Sequence, residues 1–232
     1  MPARGKIYAL MLGIRAFCLQ MNKIQDYSLY LVLTESYAQG KDILSIAKAA
    51  IAGGIDILQM REKDKSHEEL RNIGSELSRL CRDNGVPFIV NDDPELAKEL
   101  NASGVHIGQS DLISHPIEEI RRTIGKDRLI GLSTHSLEQF KEANESDLDY
   151  ISFGPIFPTK TKDYYIGTSE IKDVLKLALK PVIFIGGINT LNVDSLLGLG
   201  VRNIALIREI MQADDIVLKT REFKNKLKER EA

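Results

Sequence analysis

The chain has 232 residues, 43% of them hydrophobic, with a formal charge of -2 and an isoelectric point near 6.1. That length suffices for one large core in the size range of an α/β barrel, and the lack of a basic excess argues against nucleic acid while leaving anionic small molecules open as partners. No run approaches the roughly 18 apolar residues of a membrane span, and Cys18 and Cys81 form no C-x-x-C pair, which argues against a disulfide framework or a thiolate zinc site and fits a reducing cytoplasm.

Residues 1–20 carry Arg4, Lys6 and Arg15, no acid, and an apolar piece at 7–12. Arg15 interrupts the apolar run and no small-residue cleavage pattern follows, so a targeting peptide is disfavoured. The expectation is an N-terminal extension over 1–24, with Met21 a candidate start, followed by one catalytic domain over 25–232. Within that domain short β-branched runs alternate with amphipathic stretches. Strands are predicted at 28–33, 56–60, 88–91, 104–107, 129–133, 150–153, 182–185 and 202–206. Helical periodicity marks the intervening segments 42–52, 66–84 and 116–124. Ser66 with Glu69 forms a capping-box pattern, and Asn84-Gly85 supplies a stop. Eight such units, with no G-x-G-x-x-G turn after the first strand, predict a closed (β/α)8 TIM barrel rather than an open doubly wound sheet. Chemistry in that fold sits at the C-terminal strand ends.

The second predicted strand ends in Gln59-Met60-Arg61-Glu62-Lys63. Arg61 can grip phosphate oxygens with its planar fork and Lys63 can act as a point charge, although a solvated charge cluster would read the same way. The third ends in Asn91-Asp92-Asp93-Pro94, where capping of the next helix competes with cation binding. The fourth continues into His106-Ile107-Gly108-Gln109-Ser110-Asp111. Neighbouring strands lie roughly 5 Å apart, so Asp92 and Asp111 can face one cation, and two carboxylates with water and phosphate oxygens suit Mg2+. The histidines His67, His106, His115 and His135 show no zinc-binding spacing, and His106 reads equally as a hydrogen-bonded structural residue.

The fifth strand ends in Gly131-Leu132-Ser133-Thr134-His135 without a nucleophile elbow, which assigns Ser133, Thr134 and His135 to binding at most. The sixth opens into Gly154-Pro155-Ile156-Phe157-Pro158-Thr159-Lys160-Thr161-Lys162. Its hydroxyls and ammonium groups suit phosphate, its prolines restrict the loop, and a plain surface loop is the alternative. After the seventh strand, Gly186-Gly187-Ile188 lets backbone amides approach an oxyanion, in the part of a barrel where phosphate sites are common.

Taken together, in this order and spacing over roughly residues 27–215, these segments resemble thiamine phosphate synthase. The resemblance implies Mg2+-dependent coupling of 4-amino-5-hydroxymethyl-2-methylpyrimidine diphosphate to 4-methyl-5-(2-phosphooxyethyl)thiazole, giving thiamine phosphate and pyrophosphate. It also implies a dissociative alkyl transfer, in which a pyrimidine-methyl cation is captured by the thiazole nitrogen. Carried over by motif, Gln59, Met60, Arg61, Glu62, Lys63, Asn91, Ser133 and Lys162 hold the pyrimidine diphosphate, and Asp92 and Asp111 bind Mg2+. Thr159, Lys160, Thr161 and Gly187 hold the thiazole phosphate. Arg61, Lys63 and Lys162 form the catalytic set, because the leaving pyrophosphate must have its charge neutralised. The sequence departs from the family pattern at Ile207-Arg208, where a small hydroxyl residue usually follows the isoleucine. Arg208 there either binds the thiazole phosphate or turns away into an ion pair. The partners expected are the two small molecules, with no nucleic acid and no membrane; a homo-oligomer is left open.

Two other functions compete. A related barrel that binds the thiazole phosphate without coupling it has no use for Asp92, Asp111, Lys63 and Lys162 together. A sugar-phosphate aldolase or isomerase needs a buried Schiff-base lysine or a carboxylate base beside a carbonyl, whereas Lys63 and Lys162 stand in polar loop segments.

Overall fold

The alternation of apolar residues in the strand segments has a direct structural counterpart. In a computed structural model describing residues 24 and 26–229, the strands are β1 (Leu29–Leu33), β2 (Ile57–Met60), β3 (Phe88–Asn91), β4 (Gly104–Ile107), β5 (Leu129–Thr134), β6 (Tyr150–Phe153), β7 (Val182–Ile185) and β8 (Ile204–Leu206). Every neighbouring pair is parallel, and β8 pairs back onto β1, closing the barrel. Residues 1–23, on which the expectation of an extension rests, lie outside the described residues.

Side chains alternate across a strand, so each strand feeds two cores. Leu29, Leu31 and Leu33 of β1 point to the helical layer, while Tyr30 and Val32 join Ile57, Ile89, Leu129, Tyr150, Ile183 and Ala205 inside the barrel. Continuing that parity toward the C-terminal ends, Gln59, Asn91, His106, Ser133 and Ser152 fall on the inner face. The register agrees, pairing Gln59 with Ile89, Asn91 with His106, and Ser133 with Ser152. The apolar floor thus gives way to a polar upper layer.

The helices are α1 (Ile43–Gly53), α2 (His67–Asp83), α3 (Pro94–Glu99), α4 (Ile117–Ile124), α5 (Leu137–Glu145), α6 (Ile171–Leu177), α7 (Val193–Gly198), α8 (Arg208–Met211) and α9 (Ile216–Lys228). Asp42, Ser66, Asp93, Ser136 and Asp215 each accept a hydrogen bond from a backbone N–H in the first turn. Ser66 and Glu69 form the expected reciprocal capping box.

Several boundaries differ from the sequence expectation for local reasons. Ser28, Asp56 and Arg202 stand before their strands: Ser28 N–H donates to the Asn203 side chain, Asp56 accepts from Leu29 N–H, and Arg202 pairs with Asp26. Thr134 extends β5, its hydroxyl donating to the Ser152 carbonyl. Asp42, Ser66 and Pro116 precede their helices with extended backbones, and Asn84 follows α2 as its C-cap.

Candidate active site

The C-terminal mouth of the barrel holds a cavity of about 830 Å³. Its wall takes residues from all eight strands and the loops after them, and among the described residues five cations (Arg61, Lys63, Lys162, Arg208, Lys219) against three carboxylates (Asp92, Asp111, Glu209) bias it toward anionic ligands.

On the β2–β3 side, Arg61 N–H extends the ladder by donating to Leu33 O at 2.9 Å, which delivers the guanidinium to the rim. Gln59 Nε2 donates to Asn91 Oδ1 at 2.7 Å, and Asn91 Nδ2 in turn donates to Asp92 Oδ2. The choice between capping and cation binding is divided between two adjacent residues. Asp93 caps α3 by accepting from Leu96 N–H at 2.8 Å. Asp92 turns to the mouth through a left-handed backbone, φ 60, that aspartate tolerates better than most residues.

Asp92 Oδ1 accepts from Gly108 N–H at 2.8 Å, and Asp111 Oδ2 accepts from the Ser110 hydroxyl at 2.8 Å. A Cβ built on Gly108 would lie 2.8 Å from Asp111 Oδ2 and 3.6 Å from Asp92 Oδ1, so both carboxylates converge on space that only glycine leaves open. Burial first, then the like charge of Asp111, raises the Asp92 pKa, while Lys63 opposes the shift. This donor set fits a hard divalent cation. Among the described residues no third histidine, cysteine or carboxylate joins them, so water and substrate oxygens would complete the shell.

The opposite wall is a hydroxyl-rich pocket. Thr159 and Thr161 hydroxyls stand 3.0 Å apart, an isolated bridge links Thr159 to Lys162, and the Lys162 ammonium lies 5.9 Å from the Tyr164 ring centroid. Gly187, at φ 65, packs under this loop; a Cβ there would meet Pro158 O at 2.5 Å. Arg208 turns inward. Its Nη2 donates to Thr159 Oγ1 at 3.3 Å and its guanidinium stacks over Tyr37 with 5.5 Å to the centroid.

Three residues of the expected set are not brought to the cavity wall. Met60 follows the inward Gln59 and therefore faces out, 2% exposed, into the core under the helices. Glu62 reaches back to the segment after β1, accepting from Glu35 N–H at 2.6 Å. Lys160 sits exposed at the tip of the turn between Thr159 and Thr161. The rest, Gln59, Arg61, Lys63, Asn91, Asp92, Asp111, Ser133, Thr159, Thr161, Lys162, Gly187, Ile207 and Arg208, line the cavity. Tyr30, Gln109, His135 and Ser152 line it as well. The period-two alternation would have flagged Tyr30 and Ser152 once each strand's inward parity was known, whereas Gln109 and His135 already stand in the strand-end segments after the fourth and fifth strands.

The fold and this mouth define a class: a (β/α)8-barrel enzyme whose pocket suits a phosphate-bearing ligand beside a divalent cation. Comparison with known proteins narrows it. The family model described as thiamine monophosphate synthase matches residues 29–210. A thiamine-phosphate synthase from Persephonella marina is 41% identical over 86% of this chain and 95% of its own, and one from Shouchella clausii is 39% identical over 83% and 92%. The solved structure of thiamine phosphate pyrophosphorylase from Pyrococcus furiosus superposes with a TM-score of 0.80 at 32% identity, covering 89% of this chain and 98% of that one. The chain belongs to the thiamine monophosphate synthase family.

Proposed function

We propose that this protein is a transferase that couples 4-amino-5-hydroxymethyl-2-methylpyrimidine diphosphate to 4-methyl-5-(2-phosphooxyethyl)thiazole, forming thiamine phosphate and pyrophosphate. The observation that carries the reading is the convergence of Arg61, Lys63 and the Asp92–Asp111 pair on one cavity whose far wall offers Thr159, Thr161, Lys162 and Arg208. One half suits a diphosphate with a cation and the other a phosphate monoester.

The residues divide the work by chemistry. Gln59 and Asn91 orient the pyrimidine diphosphate, with Ser133 as a further contact. Arg61, Lys63 and Lys162 stabilise charge as it develops on the departing pyrophosphate. Asp92 and Asp111 would hold Mg2+, which when bound supplies charge neutralisation at the diphosphate oxygens. Thr159, Thr161, Gly187 N–H and Arg208 hold the thiazole phosphate and orient the ring nitrogen toward the methylene carbon. Pyrophosphate departs with the C–O electron pair, and the thiazole nitrogen lone pair then captures the pyrimidine-methyl cation to form the new C–N bond, so neither a covalent enzyme intermediate nor a proton transfer is required.

The test is formation of thiamine phosphate from the two purified substrates with and without Mg2+. Metal-dependent product is expected. Binding of the thiazole phosphate with no product, in folded protein, would instead favour a non-coupling binder. No described helix is long and apolar enough to cross a membrane.

A further inference from the structure

At the floor of the cavity, the barrel interior contains a row of polar side chains in an otherwise apolar core. Tyr30 OH lies 3.0 Å from Tyr150 OH, Tyr150 OH lies 3.0 Å from His106 Nδ1, and His106 Nε2 lies 2.9 Å from Ser133 Oγ. Tyr30, Tyr150 and His106 are 2%, 0% and 7% exposed. The row runs from Tyr30 on the cavity floor to Ser133 on its wall, one residue before the end of β5. It is built into the backbone: a Cβ on Gly131 would fall 2.0 Å from Tyr150 Cζ, so β5 carries glycine where the tyrosine ring must pass.

The direction of this row follows from proton counting. A buried hydroxyl proton without an acceptor costs about 1–3 kcal/mol, and the acceptor that the fold offers Tyr30 is the Tyr150 oxygen. If Tyr30 donates to Tyr150, the Tyr150 proton goes to His106 Nδ1. The imidazole proton is then on Nε2 and is donated to Ser133 Oγ. In the reverse arrangement the Tyr30 proton would find no protein acceptor among the described residues. Burial raises both phenol pKa values, so each tyrosine keeps its proton, and burial with Arg61 nearby lowers that of His106 to about 4, so the ring is neutral.

We infer that Tyr30, Tyr150 and His106 are positioning residues forming a one-way hydrogen-bond relay that makes Ser133 an acceptor toward the protein and frees its proton to donate into the cavity, onto an acceptor atom of the pyrimidine diphosphate. Ser152 stands beside both, its hydroxyl donating to Ser133 Oγ at 3.5 Å and lying 3.4 Å from His106 Nε2. The relay orients a hydroxyl before substrate arrives, so no reorganisation is needed as charge develops. The assignment of Ser133 to the pyrimidine diphosphate rests on the function proposed above; the direction of the relay does not.

The experiment has two parts. In histidine-15N-labelled protein without substrate, with His106 assigned by comparison with His106→Gln, long-range 1H–15N spectra at neutral pH should show the neutral Nε2–H tautomer. An Nδ1–H tautomer or an imidazolium at that position would overturn the relay, whether or not the protein couples its substrates. Steady-state kinetics then test the link to Ser133. Tyr150→Phe should lower kcat about tenfold, one hydrogen bond's worth, and leave the KM for the thiazole phosphate within about twofold. In a Ser133→Ala background the same substitution should cause no further loss. His106→Gln, whose Nε2–H stands in for the imidazole donor, should retain more kcat than His106→Asn. An equal loss from Tyr150→Phe in both backgrounds would reduce the row to core packing. If the Tyr150 variant does not fold, the tautomer measured in the unsubstituted protein still decides the direction.

Discussion

Asp92 sits at a left-handed backbone position that aspartate and asparagine tolerate, while its carboxylate shares the space above Gly108 with Asp111. Asp92→Asn therefore separates backbone strain from charge. Its melting temperature should match that of the parent, while Mg2+-dependent turnover falls by about 10²-fold or more, read from Mg2+ titrations of product formation. Lys162→Ala removes a cation assigned to the departing diphosphate. Its kcat should fall by roughly 10²–10³-fold with little change in the KM for the thiazole phosphate; an unchanged kcat would remove Lys162 from the catalytic set. Arg208 is held by Thr159 and the face of Tyr37, a geometry suited to reaching a phosphate monoester. Arg208→Ala should raise the KM for the thiazole phosphate about tenfold or more, the worth of a charge-assisted hydrogen bond, with kcat nearly constant in steady-state assays.

Among the elements, α9 closes the molecule by packing against α1. The contact is close because α1 ends in Gly53: a Cβ there would stand 2.5 Å from Thr220 Cβ and 2.9 Å from Val217 O. Lys224 of α9 adds a latch, donating to Asp56 Oδ2 at 2.6 Å and to Tyr27 O at 2.9 Å. Gly53→Ala, a favourable change in an isolated helix, should here cost about 1–3 kcal/mol by overpacking, measured by urea denaturation. Unchanged stability would mean that α9 shifts freely on α1. Ser66→Ala removes only a capping box at an exposed helix start and should cost about 1 kcal/mol in the same measurement, without altering turnover.

For the whole molecule, the buried histidine couples stability to pH. An unfolded imidazole titrates near pH 6.5, and burial holds that of His106 at about 4. Below pH 6.5 the unfolded chain therefore binds a proton that the folded chain refuses, so stability falls as pH drops from about 6.5 toward 4 and is unaffected by this group above that window. The His106→Gln variant should show a shallower decline in urea midpoint over the same range; an identical slope would indicate that other groups carry the acid sensitivity. Much of this architecture is legible in the sequence alone. β-branched runs separated by amphipathic segments specified eight units, and Ser66 with Glu69 marked a helix start, because these signals are local in sequence. Strand-end motifs likewise located Arg61, Asp92, Asp111 and Lys162 at the mouth. What a linear reading could not assign was parity: Gln59 and Met60 are adjacent, and only closure of the barrel decides that Gln59 enters the cavity while Met60 enters the outer core. Nor could it join Tyr30, His106, Ser133 and Tyr150, whose hydrogen bonds span 27 to 120 residues of chain. The sequence by itself determined the elements and the chemistry available at their ends, since periodicity, caps and residue type act over a few residues. The tertiary structure alone decided which of those side chains share one space, because that depends on strand parity, register and closure, which relate residues far apart in the chain.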